Sequence, residues 1–129
     1  MAKKILLVDD EADFLELMGA RIKSWGYEVI EAASGKEAIE IVKNKNADIV
    51  VLDYLMPDMD GITTLKEIRK IDKKIPVVLF SARSDTTLIK GAENLGVVLM
   101  PKLSPYQDTQ AALKAVIQTI EKKLDKQKG

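Results

Sequence analysis

Five short apolar clusters recur along the chain, and a stripe of apolar residues at helical spacing follows each. The clusters are ILLV (5–8), YEVI (27–30), DIVVL (48–52), PVVLF (76–80) and VVLM (97–100). They are near-continuous rather than alternating, as expected of strands buried on both faces. The stripes are Phe14, Met18, Ile22 and Trp25; Ala38, Ile41 and Val42; Ile62, Leu65 and Ile68; Leu88, Ala92 and Leu95; and Leu113, Val116, Ile117, Ile120 and Leu124. Each fits one face of a helix. Strand–helix alternation with short connections requires a parallel sheet with helices on both faces. Five strands cannot close an eight-stranded barrel. The pattern therefore predicts an α/β fold, a (βα)₅ open doubly wound parallel sheet in the flavodoxin-like order 2-1-3-4-5.

Local signals agree with this alternation. Ser34 with Glu37 reads as a capping box, and Ser104-Pro105 with Gln107 as cap, first-turn proline and box partner. Gly26 and Gly96 stand where the first and fourth helices should stop. The last helix is expected from 105 to about 126. Its Leu113, Ile117, Ile120 and Leu124 serve either to pack on the sheet or as a dimer seam. No internal repeat or low-complexity tract appears, so 1–129 reads as a single domain with a core at about 4–124 and a lysine-rich tail at 125–129.

Composition narrows the function. Twenty basic and twenty acidic residues cancel, which argues against a nucleic-acid-binding face. The apolar run after MAKK ends at two aspartates after four residues, too short for a signal peptide, and no run approaches the roughly 20 residues that span a bilayer. The expectation is a cytoplasmic protein without membrane contact. The chain has no cysteine and no histidine. Thiolate metal sites and histidine acid–base chemistry are excluded, and reactive groups must be Asp, Glu, Lys, Ser, Thr or Tyr.

In an open sheet of this order the ligand site lies outside the carboxyl ends of strands 1 and 3. Strand 1 runs into Asp9-Asp10 and strand 3 into Asp53. With strands about 4.8 Å apart, these three carboxylates should converge and repel, and a hard divalent cation such as Mg²⁺ would offset them. Asp10 has a second reading, compatible with the first, as N-cap of the first helix with Asp13 in its first turn. Ser81 ends strand 4 and Lys102 follows strand 5. A hydroxyl and an ammonium beside an acidic metal site suit the oxygens of a phosphoryl group. Asp58 and Asp60 take loop and cap roles, with Asp60-Gly61 opening the third helix.

Taken in order, Asp9-Asp10, the block LDYLMPDMDG (52–61), Ser81-Ala82 and Lys102 resemble the receiver domain of two-component response regulators over nearly the whole chain. The resemblance implies that Asp53 accepts a phosphoryl group from the phosphohistidine of a sensor histidine kinase or phosphotransfer protein. It implies that Asp10, Asp53 and the backbone carbonyl of Leu55 ligate Mg²⁺, with Asp9 acting through water. The product would be a conformational signal to a downstream protein rather than a released metabolite.

Several positions depart from the family pattern. Leu103, not proline, follows Lys102, and Pro101 precedes it; a non-proline cis bond there would cost roughly 3 kcal/mol, so a trans, rearranged loop is expected. Leu99 stands where the family commonly has a switching aromatic or histidine. Leu55 and Arg83 occupy the positions that flank the phosphoryl group. The stretch from Gly96 to Lys102 is one residue short, which would displace the fifth strand. Two rival readings are a docking-only receiver and an Asp-nucleophile, Mg²⁺-dependent phosphatase of the haloacid dehalogenase kind. The latter usually needs a second aspartate where this chain has Leu55.

Overall fold

The computed structural model describes residues 3–54, 60–81, 90, 97–101 and 106–128. Its elements are β1 (Lys4–Val8), α1 (Ala12–Ser24), β2 (Glu28–Ala32), α2 (Gly35–Lys43), β3 (Ile49–Asp53), α3 (Gly61–Ile71), β4 (Val77–Ser81), β5 (Val98–Pro101) and a C-terminal helix (Tyr106–Lys128). The strands form one sheet in the order β2-β1-β3-β4-β5, with every neighbouring pair parallel. The doubly wound fold read from the sequence is the one observed. The stripe at Leu88, Ala92 and Leu95, the stop at Gly96 and the cap at Ser104-Pro105 lie outside the described residues.

The sheet separates two cores. Phe14, Met18 and Ile22 of α1 and Leu113, Ile117 and Ile120 of the C-terminal helix pack on one face, over Ile5, Leu7, Ile49, Val51, Val78 and Phe80. Ala38 and Val42 of α2 and Leu65 and Ile68 of α3 pack on the other, over Leu6, Val8, Val50, Leu52, Val77 and Leu79. Burying each large aliphatic side chain contributes about 1.5–3 kcal/mol, so these layers hold the carboxyl ends of the strands in fixed register. The stripe at Leu113, Ile117 and Ile120 is used within the chain, against its own sheet.

Several boundaries differ from the sequence expectation. The second strand starts one residue later than YEVI and ends two residues later, at Ala32, and Val29 and Ile30 are only half-buried. The sheet order explains the partial burial, because β2 is an edge strand with no strand beyond it among the described residues. Its last carbonyl, on Ala32, accepts the Asp9 N–H at 3.1 Å and extends the ladder past β1. The fifth strand keeps four residues in parallel register with β4, from Val78 opposite Val98 to Ser81 opposite Pro101. The last helix continues through the lysine-rich segment to Lys128, two residues past the expected end. Lys126, Gln127 and Lys128 are good helix formers, and Asp125 pairs with Lys3 at 3.5 Å.

The caps show how the chain turns at each end. Ser34 accepts the Glu37 N–H at 3.2 Å, and the Glu37 carboxylate returns to the Ala33 N–H at 2.8 Å, one residue ahead of the cap. Asp60 caps α3 by accepting the Thr63 N–H at 2.7 Å. Gly26, at φ +97°, takes the left-handed conformation that ends α1 and donates its N–H to the Lys23 carbonyl at 3.0 Å.

Candidate functional site

Parallel pairing of β1 with β3 sets Val8 opposite Leu52, so the next residues, Asp9 and Asp53, end adjacent strands on the same face of the sheet. Carboxylate oxygens of Asp9, Asp10 and Asp53 all lie within 4.8 Å of one another. Asp9 is fully buried and Asp53 only 5% exposed, whereas Asp10 is exposed. Of the three, the central pair therefore pays the larger desolvation cost.

Asp10 is not the helix cap. Glu11 occupies that position, and no side chain caps α1. Asp9 instead accepts the Glu11 N–H at 2.9 Å. This bond turns the chain from β1 into α1 and leaves the Asp10 carboxylate in the acidic cluster.

The strand ends are flanked by apolar side chains. Asp53 lies opposite Phe80 on β4, and the Phe80 ring meets Phe14 of α1 edge-on, with centroids 6.2 Å apart and planes at 84°. The strand tip is held by backbone bonds on both sides: the Tyr54 N–H donates to the Phe80 carbonyl at 2.8 Å, and the Gly61 N–H donates to the Tyr54 carbonyl at 2.7 Å. Beyond Gly61, the fully buried Thr64 donates its hydroxyl to the Asp60 carbonyl at 2.9 Å.

An all-oxygen, all-anionic donor set with two buried members suits a hard divalent cation such as Mg²⁺. Softer metals would call for sulfur or imidazole ligands, and the chain has neither cysteine nor histidine. Three of the six residues expected at the site, Asp9, Asp10 and Asp53, are thus brought together. Ser81 closes β4 at the same edge of the sheet, where its backbone pairs with Pro101. The Ser81 side chain, Leu55 and Lys102 lie outside the described residues, as do Arg83 and Leu103. Leu99 is half-buried and packs with the core on the α2 and α3 side.

Sequence reading missed Gly61 and Thr64 as supports of the site. A glycine after a capping aspartate looks like an ordinary helix start, and Thr64 sits beside the Leu65 stripe without interrupting it.

The family profile described as "Response regulator receiver domain" matches residues 5–102. Among curated proteins, the chain is 36% identical over 98 residues to sporulation initiation phosphotransferase F of Bacillus subtilis, covering 76% of this chain and 79% of that one. It is 34% identical over 125 residues to "Probable transcriptional regulator ycf27" of Porphyridium aerugineum, covering 93% of this chain but only 50% of that regulator's length. Among solved structures, it resembles a chain of the CheX-CheY-BeF3-Mg+2 complex from Borrelia burgdorferi, with a TM-score of 0.77, 33% identity and 89% of each chain covered. Profile, relatives, sheet order and the acidic strand ends agree, and the chain belongs to the response regulator receiver domain family.

Proposed function

We propose that this receiver domain is a phosphoacceptor switch in a two-component pathway. Asp53 takes the phosphoryl group from the phosphohistidine of a sensor histidine kinase or phosphotransfer protein. The observation that carries the reading is the buried Asp53 carboxylate at the tip of a central strand, with the Asp9 and Asp10 oxygens within 4.8 Å. In this reading Asp10, Asp53 and the Leu55 carbonyl hold Mg²⁺, and Asp9 acts through a water. Bound Mg²⁺ supplies positive charge at the phosphoryl oxygens.

A carboxylate oxygen of Asp53 attacks phosphorus, the bond from phosphorus to the donor's histidine nitrogen breaks, and an acyl phosphate forms on Asp53. Lys102 offsets charge on the transferred group, and the Ser81 hydroxyl donates a hydrogen bond to it. Asp9 is oriented for its part by the Glu11 N–H. Such chemistry is mostly positioning and charge stabilisation, and the chain, having no histidine, relies on an external donor. The domain catalyses its own phosphorylation, and dephosphorylation resets it.

The output is a change in partner binding. A dimer through the last helix would use the shallow cleft of about 290 Å³ between Val98 and Val116, Thr119 and Lys123, because the deeper stripe already faces the sheet. A cytoplasmic location follows from the kinase partner. Among the described residues no helix is long and apolar enough to cross a membrane.

NMR with beryllium fluoride or acetyl phosphate plus Mg²⁺, on wild type and Asp53→Asn, tests the reading. Resonances near the strand ends of the wild type should shift only when Mg²⁺ is present, and the variant should stay silent. An unresponsive wild type would leave docking-only function. Sustained hydrolysis of small phosphate esters would instead favour the phosphatase reading.

A further inference from the structure

We propose that Gly61 is a positioning residue for the acceptor site, its missing side chain allowing α3 to seat directly behind the tip of β3. This rests on the reading of Asp53 and Mg²⁺ given above. Gly61 is buried at the first position of α3, and its role is one of space rather than of unusual backbone angles. A Cβ at this position would lie 2.7 Å from the Tyr54 Cα, 2.8 Å from the Asp53 carbonyl oxygen and 2.9 Å from the Leu79 Cδ1. The first two are backbone atoms, of the residue just past β3 and of its last residue, and cannot rotate away.

The helix cannot easily yield instead. Leu65 and Ile68 anchor it in the core, Asp60 caps it through the Thr63 N–H, and Thr64 holds Asp60 from within. Gly61 is also tied to the Tyr54 carbonyl at 2.7 Å, so the same residue fixes both ends of the segment carrying Leu55. An added methyl would have to displace the strand tip by roughly 0.5 Å, the scale at which a preorganised site loses function. Gly19 makes the contrast: a Cβ there meets nothing closer than 3.8 Å.

Calorimetric titration of Mg²⁺ into wild type, Gly61→Ala, Gly19→Ala and the double variant Gly61→Ala/Leu79→Val tests this, with circular dichroism confirming the fold of each. Gly61→Ala should weaken Mg²⁺ binding by about tenfold or more, the range typical of residues that orient metal ligands. Gly19→Ala should bind as wild type. The double variant should remain weak, because removing the Leu79 contact leaves both backbone contacts in place. Wild-type affinity in Gly61→Ala, or its recovery in the double variant, would overturn the proposal. If Gly61→Ala does not fold, Thr64→Val loosens the same buttress without adding an atom behind β3. It should weaken binding severalfold, and unchanged affinity would overturn the proposal. Absence of Mg²⁺ binding by the wild type would refute the functional reading itself and this inference with it.

Discussion

The two edges of the sheet handle charge in opposite ways. At the amino edge, polar groups meet complementary partners. Asp48 accepts the Lys4 N–H at 2.8 Å, and Asn46 accepts the Lys4 ammonium at 3.2 Å. Arg69 donates to the Ile75 carbonyl at 2.6 Å, and Tyr27 donates its hydroxyl to Glu121 at 2.9 Å. At the carboxyl edge, Asp9, Asp10 and Asp53 bring like charges within 4.8 Å of one another. One edge is built from donor–acceptor pairs, and the other gathers carboxylates whose mutual repulsion a cation can relieve. Stabilising contacts and the candidate site lie at opposite ends of the same strands.

This contrast predicts opposite signs for removing polar groups at the two edges. The largest effect should come from Asp53→Asn, which relieves repulsion at a buried site and should raise stability without Mg²⁺ by about 2 kcal/mol. Urea unfolding in chelator measures it, and a loss of stability would break the contrast. Mg²⁺ should then stabilise the wild type and not the variant.

Next is Tyr27→Phe at the amino edge, expected to cost about 1 kcal/mol for the lost hydrogen bond. Burial, reinforced by Glu121, pushes the Tyr27 phenol from 10.0 up to about 12. Since the folded state retains this proton more tightly, its stabilising effect is intact below pH 10 and is lost as pH rises through about 12. The stability gap between wild type and Tyr27→Phe should therefore narrow over that window; a constant gap would show that the phenol contributes by packing alone. The smallest effect belongs to Asp125→Asn. Asp125 is 63% exposed where it meets Lys3, so less than about 0.5 kcal/mol should be lost, and salt should shrink the difference further.

The fold was legible because buried parallel strands read as unbroken apolar runs, and helices betray themselves by period. The convergence of Asp9, Asp10 and Asp53 was legible for a related reason: strand order fixes which strand ends are neighbours. What escaped was set by contacts through space. Asp10 looked like a cap because its neighbours permit one, but the Asp9 carboxylate had already turned the chain at Glu11. The edge position of β2 explains why Val29 and Ile30 are only half-covered, although they read like residues of a central strand. The packing of Gly61 on Asp53 and Tyr54 joins residues well apart in the chain, and no periodicity reports such an approach.

Being open, the sheet ends in two strands, β2 and β5, each with a side on which no further strand pairs among the described residues, the feature that allows sheets to grow from one molecule into the next. β2 carries exposed Glu28 and Glu31, charges that discourage another strand from adding there. β5 is only four residues long and ends in Pro101, which lacks an N–H to offer. These strands resist edge-to-edge aggregation, so recognition at them would favour side-chain surfaces over strand addition.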